Sequence, residues 1–272
     1  MKVAISGASG FVASHLKKRF TDFVVIERSD TQEQIVEKLK GVEAVFNLAG
    51  APILKRWSSS YKKVLLSSRV DTTRKIVSAI NQSEVKHFIS TSAIGAYPDD
   101  APYDESYANY AEDFLGSLTF EWEQEAKKCT KPTAIVRFGV VLGKDGGALA
   151  QMIVPFKLGV GGTIGNGEMM TSWIDIEDLV RIYDHILEHK LAGTFNATAP
   201  HPVSNYTFTK ALGKELHRLA ICPLPRFVLK VIFGKGASVL TGSKEVYPRE
   251  LLKSGFEFKY ENIENSLRHL LG

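Results

Sequence analysis

The chain has 272 residues, of which 44% are hydrophobic, 24% charged and 10% aromatic, an ordinary globular make-up that excludes a disordered, collagen-like or disulfide-scaffold protein. A net charge of +4 is too mild to argue for nucleic acid, although residues 210–272 carry 11 Lys/Arg against 6 Asp/Glu. No apolar run approaches the roughly 18 residues of a membrane span and the start MKVAISG lacks a secretory signal; with two cysteines, Cys129 and Cys222, the expected address is cytoplasmic, with no membrane or nucleic-acid partner.

Val3 to Ser6 reads as a buried strand, followed by a glycine turn and a helix from Phe11 to Phe20. A second strand covers Phe23 to Glu27, residues 31–40 a short polar helix, and Ala44 to Gly50 a third strand ending in small residues. Ser58 to Asn81 has the spacing of one long helix. The strand His87–Ser92, a helix over 112–128, a strand from Ala134, a helix from Leu179 to Leu187 and a strand from Gly193 to Ala197 complete the alternation. Such alternation predicts an α/β fold, a doubly wound parallel sheet of Rossmann type. Beyond residue 198 the pattern breaks into helical pieces at Pro202, Pro223, Pro225 and Pro248. The expected division is therefore a nucleotide-binding domain at 1–197, with a substrate-side insertion at 146–172, and a smaller α-rich part at 198–272.

Gly7, Gly10 and Ala13 fall between the first strand and the first helix. There a glycine turn lets the amides around Ser9, Gly10, Phe11 and Val12 approach a pyrophosphate at the positive end of the helix. The residues after the second strand point both ways on the nucleotide. Glu27 suits a ribose 2′-hydroxyl and NAD, whereas Arg28, with Ser29 as a further donor, suits the 2′-phosphate of NADP.

Several motifs resemble the extended short-chain dehydrogenase/reductase superfamily. They are Gly7-x-x-Gly10-x-x-Ala13, Asn47-Leu-Ala-Gly-Ala-Pro52, Arg56-Trp57, Ser68-Arg69-Val-x-Thr-Thr73, Ser90-Thr-Ser-Ala-Ile-Gly95 and Arg137-x-Gly-Val-Val-Leu-Gly143. Gly146-Gly-Ala-Leu, Pro155-Phe-x-Leu-Gly159, Gly161-Gly-x-Ile-Gly-x-Gly167, Ser172-Trp-Ile-x-Ile-x-Asp-Leu179 and Asn196-Ala-x-Ala-Pro200 resemble its atypical "epimerase family protein" branch, whose members end in a small domain of unknown function. The resemblance spans the chain and implies NADP, with NAD as the other possibility, and it implies that the long helix at 58–82 can pair with a second subunit in a homodimer. It also implies that Leu48, Ala49 and Gly50 line the adenine side and that Arg69 and Val140 approach the cofactor further along.

Most members of that superfamily use a Ser or Thr, a Tyr, and a Lys four residues after the Tyr, because the phenol moves a proton as hydride transfers and the ammonium lowers its pKa. Ser92 fits the serine, with Thr91 beside it on the cofactor side. The other two do not fit: Leu115 and Thr119 stand where Tyr and Lys belong, and residues 99–126 hold nine Asp/Glu and no Lys or Arg. Tyr97 is the best remaining phenol, while Glu105 and Asp113 are further acid–base candidates. Tyr206 and Lys210 have the literal spacing but read as a surface helix. The acidic stretch argues against a nucleotide-sugar diphosphate as substrate.

Residues 159–167 hold five glycines, a loop shaped either for a substrate or for a domain connection. Asp175 or Asp178 is expected to cap the following helix, and Trp173 to pack near it or cover the pocket. His185 and His189 lack a third ligand, so no metal is expected, and His201 is given no role. The expected function is NADP-dependent oxidoreductase or epimerase-like chemistry on a small hydroxy or carbonyl compound or sugar derivative. The alternative is a catalytically weak NADP-binding sensor or scaffold.

Overall fold

The computed structural model describes residues 1–272. Its strands are β1 (Val3–Ser6), β2 (Phe23–Ile26), β3 (Ala44–Asn47), β4 (His87–Ala93), β5 (Pro102–Tyr103), β6 (Thr133–Phe138), β7 (Val140–Gly143), β8 (Met170–Thr171), β9 (Trp173–Asp175), β10 (Gly193–Ala197), β11 (Val203–Ser204) and β12 (Glu245–Val246). Its helices are α1 (Phe11–Arg19), α2 (Gln32–Lys38), α3 (Ser59–Leu66), α4 (Thr72–Ile80), α5 (Phe114–Ala126), α6 (Gly147–Lys157), α7 (Ile176–Glu188), α8 (Asn205–Glu215), α9 (Arg226–Phe233), α10 (Ser238–Thr241), α11 (Arg249–Lys253) and α12 (Ile263–Leu271).

Six strands form one sheet in the order β10-β6-β4-β3-β1-β2, every pairing parallel. Because side chains alternate across a strand, β1 splits its residues between two cores. Val3 and Ile5 join Leu16 of α1 and Leu179 and Ile182 of α7, whereas Ala4 joins Ile35 of α2 and Ile76 and Ile80 of α4. Both faces are covered, as a parallel sheet requires. The strand β1 lies between β2 and β3, so the winding reverses there and leaves a crevice beyond the carboxyl ends of β1 and β3.

Residues 198–272 have no core of their own. Leu251, Phe256, Leu267 and Leu270 belong to the same apolar cluster as Val3 and Ile5. Buried carboxylates at the start of α7 clip this segment down. Asp178 accepts the backbone N–H groups of Lys259 and Tyr260 at 3.0 and 2.8 Å, and Asp175 accepts the Ser266 hydroxyl at 2.7 Å.

The structure adds the short strands β5, β7, β8, β9, β11 and β12 to the sequence reading and differs from it in three helical stretches. The stretch read as one helix over 58–81 is interrupted by a π-turn at Ser67–Asp71. The helix α7 starts at Ile176, three residues early, because Asp175 caps it by accepting the Glu177 N–H at 2.8 Å. The helix α6 was not anticipated at all: it begins at two glycines and contains Pro155, both helix-breaking signals.

Candidate cofactor site and a buried polar network

The turn after β1 needs glycine for two separate reasons. Gly7 has a left-handed φ of 68°, and a Cβ there would lie 2.6 Å from the Leu48 carbonyl oxygen. The amide of Gly10, expected to face a phosphate, instead donates to the Gly7 carbonyl at 2.9 Å and so closes the turn. The amides of Ser9, Phe11 and Val12 have no acceptor in the chain, and no side chain caps α1. This is an anion-receptive helix end. The Phe11 ring points away from it, onto Gly143 and Gly146, where a Cβ would come within 2.3 Å of the ring. The Gly146-Gly147 doublet thus makes room for Phe11 and thereby fixes the start of α1.

A cleft of about 390 Å³ opens at the crevice, lined by Gly7, Ser9, Arg28, Ala49, Gly50 and others. Glu27 also lines it; Ser29, Leu48, Arg69, Thr91 and Val140 do not. Lys75 of α4, which the sequence reading missed, does line it, one turn beyond Thr72 on the same face. Its ammonium donates to the carbonyls of Arg28 and Asp30. The Asp30 carboxylate accepts the Glu27 N–H at 2.7 Å and Lys38 Nζ at 2.6 Å, shaping the loop that presents Arg28. Burial works against the charge on Asp30, but its partners, led by Lys38, keep its pKa below the usual carboxylate range.

The motif around Arg69 holds the opposite wall. Ser68 Oγ accepts the Ala51 N–H at 3.0 Å, Arg69 donates to the Ala51 carbonyl at 3.1 Å, and Asn47 Nδ2 and Trp122 Nε1 donate to Thr73 Oγ1 at 2.7 and 2.9 Å. The π-turn carries Ser68 and Arg69. The Arg69 guanidinium lies against Gly50 and over the Trp122 ring, with no carboxylate partner, and burial pushes its pKa down to about 10. The cleft therefore has an uncompensated positive charge behind one wall.

The two candidate catalytic hydroxyls are both committed elsewhere. Ser92 is 2% exposed and donates to Glu123 Oε1 at 2.6 Å. Glu123 also accepts two bonds from Arg137, each 2.8 Å, and one from Tyr110 at 2.6 Å. Burial disfavours the Glu123 charge, yet these donors outweigh it and hold the carboxyl below its ordinary range. Tyr97 is fully buried beneath the Arg137 guanidinium and donates to Asn196 Oδ1 at 2.9 Å. Burial raises its pKa. The expectation that Tyr97 offers a phenol to substrate is corrected: its hydroxyl faces the core, because Arg137 and Asn196 give it a satisfied polar niche there.

The remaining candidates have structural tasks. Glu105 accepts the Asn196 and Glu250 amides, Asp113 caps α5 through the Gly116 N–H at 2.8 Å, and Trp173 is buried with its indole N–H on the His201 carbonyl. Thr91 Oγ1 meets the Tyr183 hydroxyl at 3.1 Å. His185 bonds Ser254, and no group of three metal-ligating side chains exists.

Residues 3–198 match the family described as NAD dependent epimerase/dehydratase. The chain belongs to that family. Residues 224–270 of this epimerase/dehydratase family member match a second, DUF1731, a domain of unknown function. It is 35% identical over 306 residues to "Epimerase family protein SDR39U1 homolog, chloroplastic" of Arabidopsis thaliana, covering all of this chain and 87% of that protein. It is 31% identical over 292 residues to the human epimerase family protein SDR39U1, covering both chains fully. The crystal structure of that human protein (isoform 2) with NADPH superposes with a TM-score of 0.92 at 31% identity, over 100% of this chain and 99% of that one. A UDP-glucuronic acid 4-epimerase from Bacillus cereus shares the fold, with a TM-score of 0.79 at 16% identity.

At the place where the epimerase/dehydratase pattern expects Tyr and Lys, this family member is sealed. Leu115 packs toward Gly95 after β4, where a Cβ would meet it at 3.3 Å, and Thr119 Oγ1 donates back to carbonyls of its own helix. The ammonium groups around it are engaged elsewhere: Lys62 Nζ stands 4.3 Å over the Phe114 ring, and Lys244 Nζ donates to the Tyr97 carbonyl and pairs with Asp99 at 2.8 Å.

Proposed function

We propose that the chain binds NADP(H) and carries out hydride-transfer or epimerase-like chemistry on a small hydroxy or carbonyl compound. The left-handed Gly7 turn beneath the uncapped start of α1, opening on a cleft that holds Arg28 and Lys75, carries the reading. When bound, NADP(H) supplies or takes up the hydride. The free amides of Ser9, Phe11 and Val12 hold its pyrophosphate, and Ala49 and Gly50 flank the adenosine. Arg28 and Lys75 meet the 2′-phosphate, with Ser29 next to Arg28 in sequence. Arg69, lacking a counter-charge within the chain, favours an anion in front of Gly50. The human relative holding NADPH supports this choice over NAD.

Ser92 orients rather than activates. Its proton points at Glu123, which leaves its lone pairs to receive a hydrogen bond from the hydroxyl of the reduced partner, a hydroquinone or an alcohol, in the direction that gives hydride to NADP. Glu123 is a poor base, because Arg137 holds its pKa low when efficient proton transfer needs a value near neutrality. With no phenol–ammonium pair, a substrate that delocalises its own developing charge fits better than a simple ketone. A quinone or conjugated carbonyl is the class that does so. The two free cysteines support a reducing, cytoplasmic setting.

A second reading, a sensor that binds NADP(H) without turnover, is favoured by the engaged hydroxyls of Ser92 and Tyr97. Incubation with NADPH and a panel of quinones, enones, aldehydes and ketones separates the two. Oxidation of NADPH that Ser92→Ala abolishes supports the enzyme, whereas tight binding with no consumption across the panel supports the sensor.

A further inference from the structure

Two segments of the molecule carry exposed apolar side chains, several cations and no carboxylates. No Asp or Glu occurs between Asp145 and Glu168, or between Glu215 and Glu245. The segments adjoin in space: the Arg218 guanidinium reaches the Lys157 carbonyl, the Cys222 amide donates to Gly161 at 3.3 Å, and the Leu224 amide donates to Thr163 at 2.7 Å. Along this seam Leu158 (73% exposed), Val160, Leu219 (76% exposed) and Ile221 face solvent.

The helix α9 follows directly on this seam: Ile164 bridges Leu224, and Arg226 at its first position lies against Gly165. It buries Leu229 and exposes Phe227, Val231 and Ile232, with Phe227 and Val231 one turn apart. Lys157, Arg218, Arg226, Lys230 and Lys235 surround these side chains, all exposed and none in an ion pair. Singly exposed apolar residues are unremarkable, but a joined set rimmed by one sign of charge marks a contact surface.

We propose that this face adsorbs to an anionic lipid surface, with α9 lying in the plane of the interface. Charge decides among the possible occupants. A symmetric contact with a second copy would set the same lysines and arginines against each other, with no carboxylate between them. Protein interfaces are also poor in lysine, whereas lysine beside Leu, Val and Phe is the pattern of helices that lie on membranes. Each cation near an anionic leaflet contributes attraction, and the aliphatic groups gain by leaving water. Adsorption needs no spanning segment, and indeed no helix is long and apolar enough to cross a membrane.

Flotation of the full chain with vesicles tests the proposal. The protein is expected to float with phosphatidylcholine vesicles containing about one third phosphatidylglycerol, to stay behind with phosphatidylcholine alone, and to be released at high salt. Replacing two exposed residues together, Phe227→Ser and Val231→Ser, is expected to lower vesicle affinity about tenfold while the melting temperature stays unchanged. Lys230→Glu with Lys235→Glu is expected to weaken anionic-vesicle binding similarly. Three results overturn the proposal. One is no flotation with anionic vesicles, and another is binding that does not depend on Phe227 and Val231. The third is a dimer in sedimentation velocity that the Phe227/Val231 pair dissociates, which assigns the face to a second copy.

Discussion

Glu123 of α5 and Arg137 of β6 form a two-point ion pair, Nε to Oε1 and the terminal nitrogen to Oε2, each 2.8 Å, with both side chains at least 95% shielded from solvent. It ties the helix that would carry a catalytic Tyr and Lys to the strand beside Ser92. Breaking such a pair leaves one buried charge alone, which costs far more than the intact pair contributes over an apolar substitute. Glu123→Gln is therefore expected to lower unfolding free energy by about 3–5 kcal/mol, measured by urea denaturation at neutral pH.

The same pair sets a pH dependence. The folded Glu123 carboxyl sits below its ordinary value, so its contribution is fully present above that ordinary value and lost as pH falls through the lowered folded value. Denaturation curves between neutrality and pH 3 are expected to show a steeper acid loss for the native chain than for Glu123→Gln. Parallel acid limbs would place the pH dependence elsewhere.

Tyr97 and Ser92 make opposite predictions. Tyr97→Phe removes a hydroxyl that bonds Asn196 beside Arg137 in the core, so it is expected to cost about 1–2 kcal/mol of stability and to leave NADPH turnover intact. Ser92→Ala is expected to abolish turnover. Loss of turnover with Tyr97→Phe, at a temperature where the variant is folded, would restore the phenol to the chemistry.

Cofactor choice rests on two cations of different origin. Arg28→Ala and Lys75→Met are each expected to weaken NADPH binding about tenfold while changing NADH binding little, read by fluorescence titration. Equal losses for both nucleotides would remove the 2′-phosphate from the reach of Arg28 and Lys75.

Local signals in the sequence are enough for the sheet and the Gly7 turn, and narrow the cap of α7 to Asp175 or Asp178, since each depends on residues a few positions apart. What escaped depends on distant partners. The Tyr97 hydroxyl is silenced by Asn196, 99 positions away, and Ser92 is held by Glu123, 31 away. Lys75 looked like one more polar residue on a helix, and only the packing of α4 beside β1 brings it to the cleft. The Gly146-Gly147 doublet read as a family motif, and its physical reason, the ring of Phe11, lies 135 positions upstream of Gly146. Helix α6 was hidden because glycine and Pro155 disfavour helix locally, while burial of Leu149 and Phe156 in the core supplies the stabilisation that propensity lacks.

The central claim is that the turn after β1 receives a dinucleotide. Calorimetric titration of NADPH into the folded chain, beside Gly7→Ala, tests it most directly. A saturable heat in the native chain, absent from a Gly7→Ala variant that remains folded by circular dichroism, is the expected result. No heat with NADPH or NADH in the native chain, or undiminished binding with alanine at that position, would contradict the account.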